Sequence, residues 1–185
     1  MDKTYKIAVI VGSLREGSLN RKLAQAIVAL APSTLSFEFV NIDMPLYNPD
    51  LDTDDRPASW TAFRDAVRPV DGVLFVTPEY NRSVPAGVKN AIDVGSRPMG
   101  ASVWSGKPAG IVSGSPGAVG GFGANHALRQ SLVFLNMPAM QQPEAYIGGL
   151  GNLFEEDGSV KDQSKGFIET IGAAFAAWVA LHPQG

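Results

Sequence analysis

Three short apolar runs, each followed at once by polar, turn-forming sequence, decide what this chain can fold into. Lys6 to Val11, Val70 to Thr77 and Pro108 to Ser113 are almost unbroken in aliphatic residues, with Phe75 and Gly72 among them. Such runs suit strands covered on both faces, as in a parallel sheet. Between them the period changes: Leu23, Ile27 and Leu30 recur at spacings of four and three, the stripe of a helix. Leu35 to Ile42 alternates and predicts a more lateral strand, and Ala58 to Val67 a short helix. Pro85 opens a third helix that runs to about Gly95, since a first-turn proline loses no hydrogen bond. Ala124 to Leu135 follows with Leu128, Leu132 and Leu135 inward, then a strand over Ala139 to Tyr146. Ile168, Ile171, Phe175 and Trp178 place a last helix. Asp43 to Pro57 and Gly148 to Ser159 read as loops, the acidic run Asp50 to Asp55 as a solvated one.

Strand and helix alternate five times without internal repeat. The prediction is an α/β chain with a doubly wound, five-stranded parallel sheet and helices on both faces. At 185 residues it is expected to be a single domain over 1–185.

Composition narrows the function. No cysteine is present, which removes disulfides, thiolate metal sites and a cysteine nucleophile. Fifteen basic and eighteen acidic residues, scattered, give a net charge of −3, a poor match for nucleic acid or for an anionic membrane surface. The start, Met1 to Lys6, leads into too short an apolar stretch for a secretory leader. The longest apolar run, Ile171 to Leu181, is eleven residues, well short of the ~20 that span a bilayer. A cytoplasmic protein is expected.

In doubly wound sheets ligands bind beyond the carboxyl ends of the strands, where strand order reverses. Three loops therefore matter. The first, Gly12 to Asn20, brings hydroxyls from Ser13 and Ser18, the Asn20 amide and the Arg15 fork to the start of a helix. Free helix N–H groups and a positive dipole end favour phosphate there. The alternative is a Ser18 that only caps the helix and glycines that only turn the chain. A nucleotide P-loop is absent, because the only Gly-Lys pair, Gly106-Lys107, runs into Pro108. The dinucleotide fingerprint lacks its middle glycine, since Gly12 and Gly17 stand without one between. A terminal monophosphate fits better than ATP or tightly held NAD.

The second loop, Thr77 to Pro85, is braced by Pro78 and Pro85 and offers Glu79, Tyr80, Asn81, Arg82 and Ser83. A rigid ledge of this kind suits a flat heterocycle with polar edges, although a stiff turn with Ser83 as a helix cap would also use the prolines. The third, Ser113 to Gly121, has four glycines in nine residues and lets backbone approach a ligand closely.

Gly12-Ser13-Leu14-Arg15 with Gly17-Ser18 and Asn20, then Thr77-Pro78-Glu79-Tyr80-Asn81 with Ser83 and Pro85, then Lys89-Asn90-Ala91-Ile92-Asp93, resemble the NADPH-dependent FMN reductase family over about residues 5 to 150. That family is flavodoxin-like and includes chromate and quinone reductases. The resemblance implies non-covalent FMN, with its phosphate at Ser13, Arg15, Ser18, Leu19 and Asn20. The isoalloxazine would lie along Pro78, Glu79, Tyr80, Asn81 and Ser83, and its pyrimidine edge near Ser113, Gly114, Ser115 and Gly117. It implies a ping-pong cycle in which NAD(P)H is co-substrate and a small molecule (quinone, chromate, azo dye or free flavin) is acceptor. No side chain is then required as acid or base. A homodimer or homotetramer is also implied, with Glu144 and the segment around Arg82 as candidate contacts, Arg82 bearing on either partner or substrate.

Other readings are weaker. A flavodoxin-like carrier usually shows a strongly acidic docking face, which −3 does not supply. A phosphate-binding module without flavin is the remaining alternative. Asp50 to Asp55 lacks the glycine and glutamate of an EF-hand, Ser113 to Gly117 lacks the first glycine of a hydrolase elbow, and His126 and His182 are too isolated for a metal centre. Trp60, Trp104 and Trp178 are expected in packing, Trp104 with some exposure.

Overall fold

The computed structural model describes residues 3–184; Met1 and Asp2, on which part of the leader argument rests, and Gly185 lie outside them. The strands are β1 (Tyr5–Val11), β2 (Leu35–Phe39), β3 (Gly72–Thr77), β4 (Ala109–Gly114) and β5 (Ala145–Ile147). They pair in parallel in the order β2-β1-β3-β4-β5, the flavodoxin-like arrangement with its switch point between β1 and β3. The helices are α1 (Leu19–Leu30), α2 (Ala58–Val67), α3 (Ala86–Gly95), α4 (Phe122–Phe134) and α5 (Asp162–Leu181).

Alternation within the strands assigns helices to faces. Ala8 and Ile10 of β1, with Val73, Phe75 and Ile111, pack against Trp60 and Phe63 of α2, Val88 and Ile92 of α3 and Leu128 and Leu132 of α4. Ile7, Val9 and Val11, with Leu74, Val76 and Val112, pack against Leu23 and Ile27 of α1 and Ile171 and Phe175 of α5. Every residue of β3 and β4 is buried, which explains their unbroken hydrophobic character.

The differences from the expected elements have local causes. β2 stops at Phe39, Val40 N–H adding a last bond to the Val9 carbonyl at 3.0 Å, and Asn90 of α3 holds the chain from Met44 to Tyr47. Its Nδ2 donates to the Met44 and Pro45 carbonyls at 3.2 and 2.9 Å, and its Oδ1 accepts from the Tyr47 N–H at 2.8 Å. The fifth strand is only Ala145–Ile147; Ala139 contributes one isolated bridge to Ala109, and the chain between does not pair. Trp104 is fully buried, its Nε1 donating to the Ile92 carbonyl at 3.1 Å.

The acidic loop is not simply solvated either. Asp52 and Arg64 are each 4% exposed, with Arg64 Nη1 and Nη2 donating to Asp52 Oδ1 and Oδ2 at 2.9 and 2.7 Å. Arg64 Nε donates to the Val94 carbonyl at 2.9 Å, tying loop, α2 and α3 together.

Candidate functional site

Beyond the carboxyl ends of β1, β3 and β4 lies a cleft of about 210 Å³ lined by Ser13, Arg15, Gly17, Ser18, Leu19, Asn20, Pro78, Glu79, Tyr80, Gly114, Ser115, Pro116 and Leu150. Its floor is the start of α1. Ser18 is the N-cap, extended at φ −68° and ψ 116°, and its Oγ accepts from the Arg21 N–H at 3.1 Å. No acidic residue occupies the first turn of α1, so the positive dipole end and the unpaired N–H groups are left for an external anion. Ser13, Ser18 and Asn20 are buried beside it. Arg15 is exposed at the lip, and among the described residues its guanidinium joins no ion pair.

Asn20 supplies a direct test of whether a polar ligand belongs here. Its Nδ2 donates to the Gly114 carbonyl at 3.1 Å, but its Oδ1 is buried with no partner among the described residues. A buried acceptor left unpaired costs roughly 1–3 kcal/mol. A ligand with hydroxyl donors next to its phosphate, as in a ribityl phosphate chain, offers the donor this oxygen lacks. The residues present therefore fit FMN.

The second wall is a two-residue hairpin. Tyr80 and Ser83 exchange N–H···O bonds of 3.0 Å each, around Asn81 and Arg82 at φ 51° and 64°. This hairpin, not a cap, is the role of Ser83; the residue preceding α3 is Pro85, which has no side-chain cap bond. Glu79 is held by the start of α4, its Oε2 accepting from the Ala124 N–H at 3.1 Å. Tyr80 stands 57% exposed over the opening.

The third wall divides the expected residues. Gly114 and Ser115 line the cleft, whereas Ser113 is turned inward and fully buried, its Oγ near the Ala145 carbonyl and Asn125 Nδ2 at 3.4 Å each. Gly117 lies outside the lining, its carbonyl accepting from Ser115 Oγ at 3.1 Å. Asn81 and Ser83 also lie off the lining, within the hairpin that carries Tyr80. Leu150, which no sequence signal marked, closes the cleft because its N–H donates to the Ser115 carbonyl at 3.0 Å.

Gly120 fixes this wall. It has φ +65°, and a Cβ there would lie 2.5 Å from the Tyr146 carbonyl carbon and 2.7 Å from the Ile147 nitrogen. Gly120→Ala is expected to lose at least about 1–3 kcal/mol from backbone strain, with the clash against β5 added. Urea unfolding measures it.

Of the histidines, His126 Nε2 and the Tyr146 hydroxyl are 2.9 Å apart, and His182 Nδ1 lies 2.8 Å from the Trp178 carbonyl oxygen. Burial first, then the neighbouring Glu144 carboxylate, pushes the Tyr146 phenol above its ordinary 10.0, so it is protonated at neutral pH. Among the described residues no helix is long and apolar enough to cross a membrane.

A doubly wound sheet whose switch point presents a phosphate cradle, a braced ledge and no dinucleotide fingerprint defines a mononucleotide-binding protein of the flavodoxin-like class. The sequence pattern of the NADPH-dependent FMN reductases matches residues 5–150. The chain belongs to that family. It is 58% identical to a quinone reductase of Pseudomonas putida over 183 residues, 98% of each chain. It is 46% identical to a 2-hydroxy-1,4-benzoquinone reductase of a Burkholderia species, covering 94% of this chain and 96% of that one. FerB, a flavoenzyme NAD(P)H:(acceptor) oxidoreductase of Paracoccus denitrificans, superposes with a TM-score of 0.91 at 40% identity, over 98% of this chain and 100% of that one. The protein is accordingly an oxidoreductase that uses FMN and NAD(P)H.

Proposed function

We propose that the enzyme, acting as one FMN-binding domain over 1–185, reduces quinones with NAD(P)H in the cytoplasm. The observation that carries the site assignment is the start of α1, which has no acidic first turn and opens among Ser13, Arg15, Ser18 and the unpartnered Asn20 Oδ1. Ser13, Arg15, Ser18, Leu19 and Asn20 hold the phosphate by hydroxyl, guanidinium and backbone N–H. Pro78, Glu79 and Tyr80, stiffened by the Asn81–Ser83 turn, carry the ring. Gly114 and Ser115, with Ser113 and Gly117 behind them, flank its pyrimidine edge.

FMN held there would supply the two-electron redox chemistry between NAD(P)H and the acceptor. The chain's part is to fix the ring, keep one face open and present backbone donors where negative charge grows. No acid or base side chain is needed, and protons come from solvent. The named activities of the 58% and 46% identical relatives support a quinone as acceptor.

A homodimer or homotetramer is part of the reading, supported by Val133 and Phe134, each 80% exposed at the end of α4; Glu144 is a candidate contact. Sedimentation at micromolar concentration is expected to show more than a monomer.

The deciding experiment is the absorption spectrum of the purified protein. A flavin band is expected that bleaches under anaerobic NADH or NADPH and returns when a quinone is added. A preparation that stays colourless with added FMN overturns the flavin assignment, and a bleached band that quinone does not restore overturns the acceptor.

A further inference from the structure

The hairpin at the mouth of the cleft contains a residue that its backbone does not favour. With positive φ at both central residues, the Tyr80–Ser83 turn has the pattern that prefers Asn first and Gly second. Asn81 complies. Arg82 stands at the glycine position with φ 64°, a conformation costly for a long side chain. Packing gives nothing in return, because the side chain is 76% exposed. Among the described residues its one polar side-chain partner is Glu79, Nη1 to Oε1 at 3.4 Å. Glu79, which lines the cleft, is 12% exposed and anchored through its other oxygen by the Ala124 N–H, so Arg82, itself off the lining and two residues from Tyr80, faces a fixed carboxylate of the cleft wall. Most of its N–H donors remain free. Arg15, the other cation of the mouth, is engaged by the cofactor phosphate in the reading above.

We propose that Arg82 is an acceptor-selecting residue: its strained, tethered guanidinium binds quinones that carry negative charge beside a carbonyl, the ionised hydroxyquinones. This rests on the quinone-reductase reading. A hydroxyquinone is a vinylogous acid and is anionic at neutral pH, with its charge shared by neighbouring oxygens. Two oxygens side by side match the planar fork of Arg, whereas an ammonium meets them only as a point charge. The pair forms at an exposed rim, so the gain is moderate and screened by salt.

The test compares holoenzyme, wild type against Arg82→Gln, with 1,4-benzoquinone and 2-hydroxy-1,4-benzoquinone at pH 7. The substitution is expected to raise KM for the anion roughly two- to fivefold relative to KM for the neutral quinone, with the ratio of kcat values little changed. Binding of the anion to the oxidised holoenzyme, followed by flavin absorbance, weakens by the same factor. High salt erodes the wild-type preference and leaves that of the variant where it was. Arg82→Lys restores part of the preference. Arg82→Gly loses it while raising the melting temperature, as relief of strain requires.

Equal changes in KM for both quinones, or none, overturn the proposal. So does an Arg82→Gln enzyme that sediments differently from wild type, since Arg82 would then act in a subunit contact. If wild-type holoenzyme reduces neither quinone, the function reading itself fails. If it reduces both and only the charge discrimination is insensitive to residue 82, this inference fails alone.

Discussion

Asp52→Ala is expected to destabilise the protein by about 3–5 kcal/mol, the cost of leaving one member of a buried ion pair without its partner. For a chain of this length that lowers the melting temperature by on the order of 10 °C. Arg64 would keep its Nε bond to the Val94 carbonyl but lose both oxygens that neutralise it at 2.9 and 2.7 Å. Asp52 also accepts from the Tyr47 hydroxyl at 3.3 Å and pairs with Arg56 Nε at 3.2 Å, so the loop loses several attachments together. Adding Arg64→Met is expected to return a large part of the loss, because removing both charges avoids the uncompensated one. Thermal unfolding of the two variants against wild type gives the comparison.

The same pair makes stability depend on acid. Hydrogen bonding from Arg64 first, then its positive charge and that of Arg56, holds the Asp52 carboxyl below its ordinary 3.8. The folded state therefore binds this proton less readily than the unfolded chain. Its contribution is complete above the unfolded value and is lost as pH falls through the depressed folded one. The stability difference between wild type and Asp52→Asn is expected to be flat down to about pH 4 and to shrink below it.

Asp52 also shows what a sequence conceals. Asp50 to Asp55 is acidic and proline-flanked, and composition alone reads it as a hydrated loop. Its partner is twelve residues on, on a helix whose buried face cannot be recognised until Val94 of α3 is packed against it. Leu150 was hidden for a related reason. Its place in the cleft follows from the pairing of β4 with β5 and the Ser115 carbonyl, both non-local. By contrast, the five-stranded parallel sheet and the start of α1 were legible, because each strand and the helix start depend on a few adjacent residues. A continuous apolar run reports burial on both faces, and a serine before a helical stripe reports its N-terminus. The capping alternative for Ser83 arises because a serine two residues before a proline resembles a cap, while the turn that uses it is marked only by Asn81, with Arg82 where glycine is favoured.

The largest functional effect is expected from the phosphate cradle. Arg15→Gln combined with Ser18→Gly should weaken FMN binding by on the order of 10²–10⁴. Two charge-assisted hydrogen bonds are lost, each contributing roughly 1.5–3 kcal/mol. Glycine is preferable to alanine at position 18. Ser18 Oγ also accepts from the Arg21 N–H, and an N-cap replaced by glycine costs the helix only a few tenths of a kcal/mol where alanine costs ~1. Loss of affinity then cannot be ascribed to a frayed α1. Riboflavin provides the discriminating control, because it has the ring and the ribityl chain but no phosphate. Titrations followed by flavin fluorescence are expected to give wild type and variant similar riboflavin affinities and very different FMN affinities. A parallel loss for both ligands would mean that the substitutions disturb the ledge at Pro78 to Tyr80, not the anion site. Unchanged FMN affinity would remove the phosphate from the head of α1 altogether, and the orphaned Asn20 Oδ1 would then need another explanation.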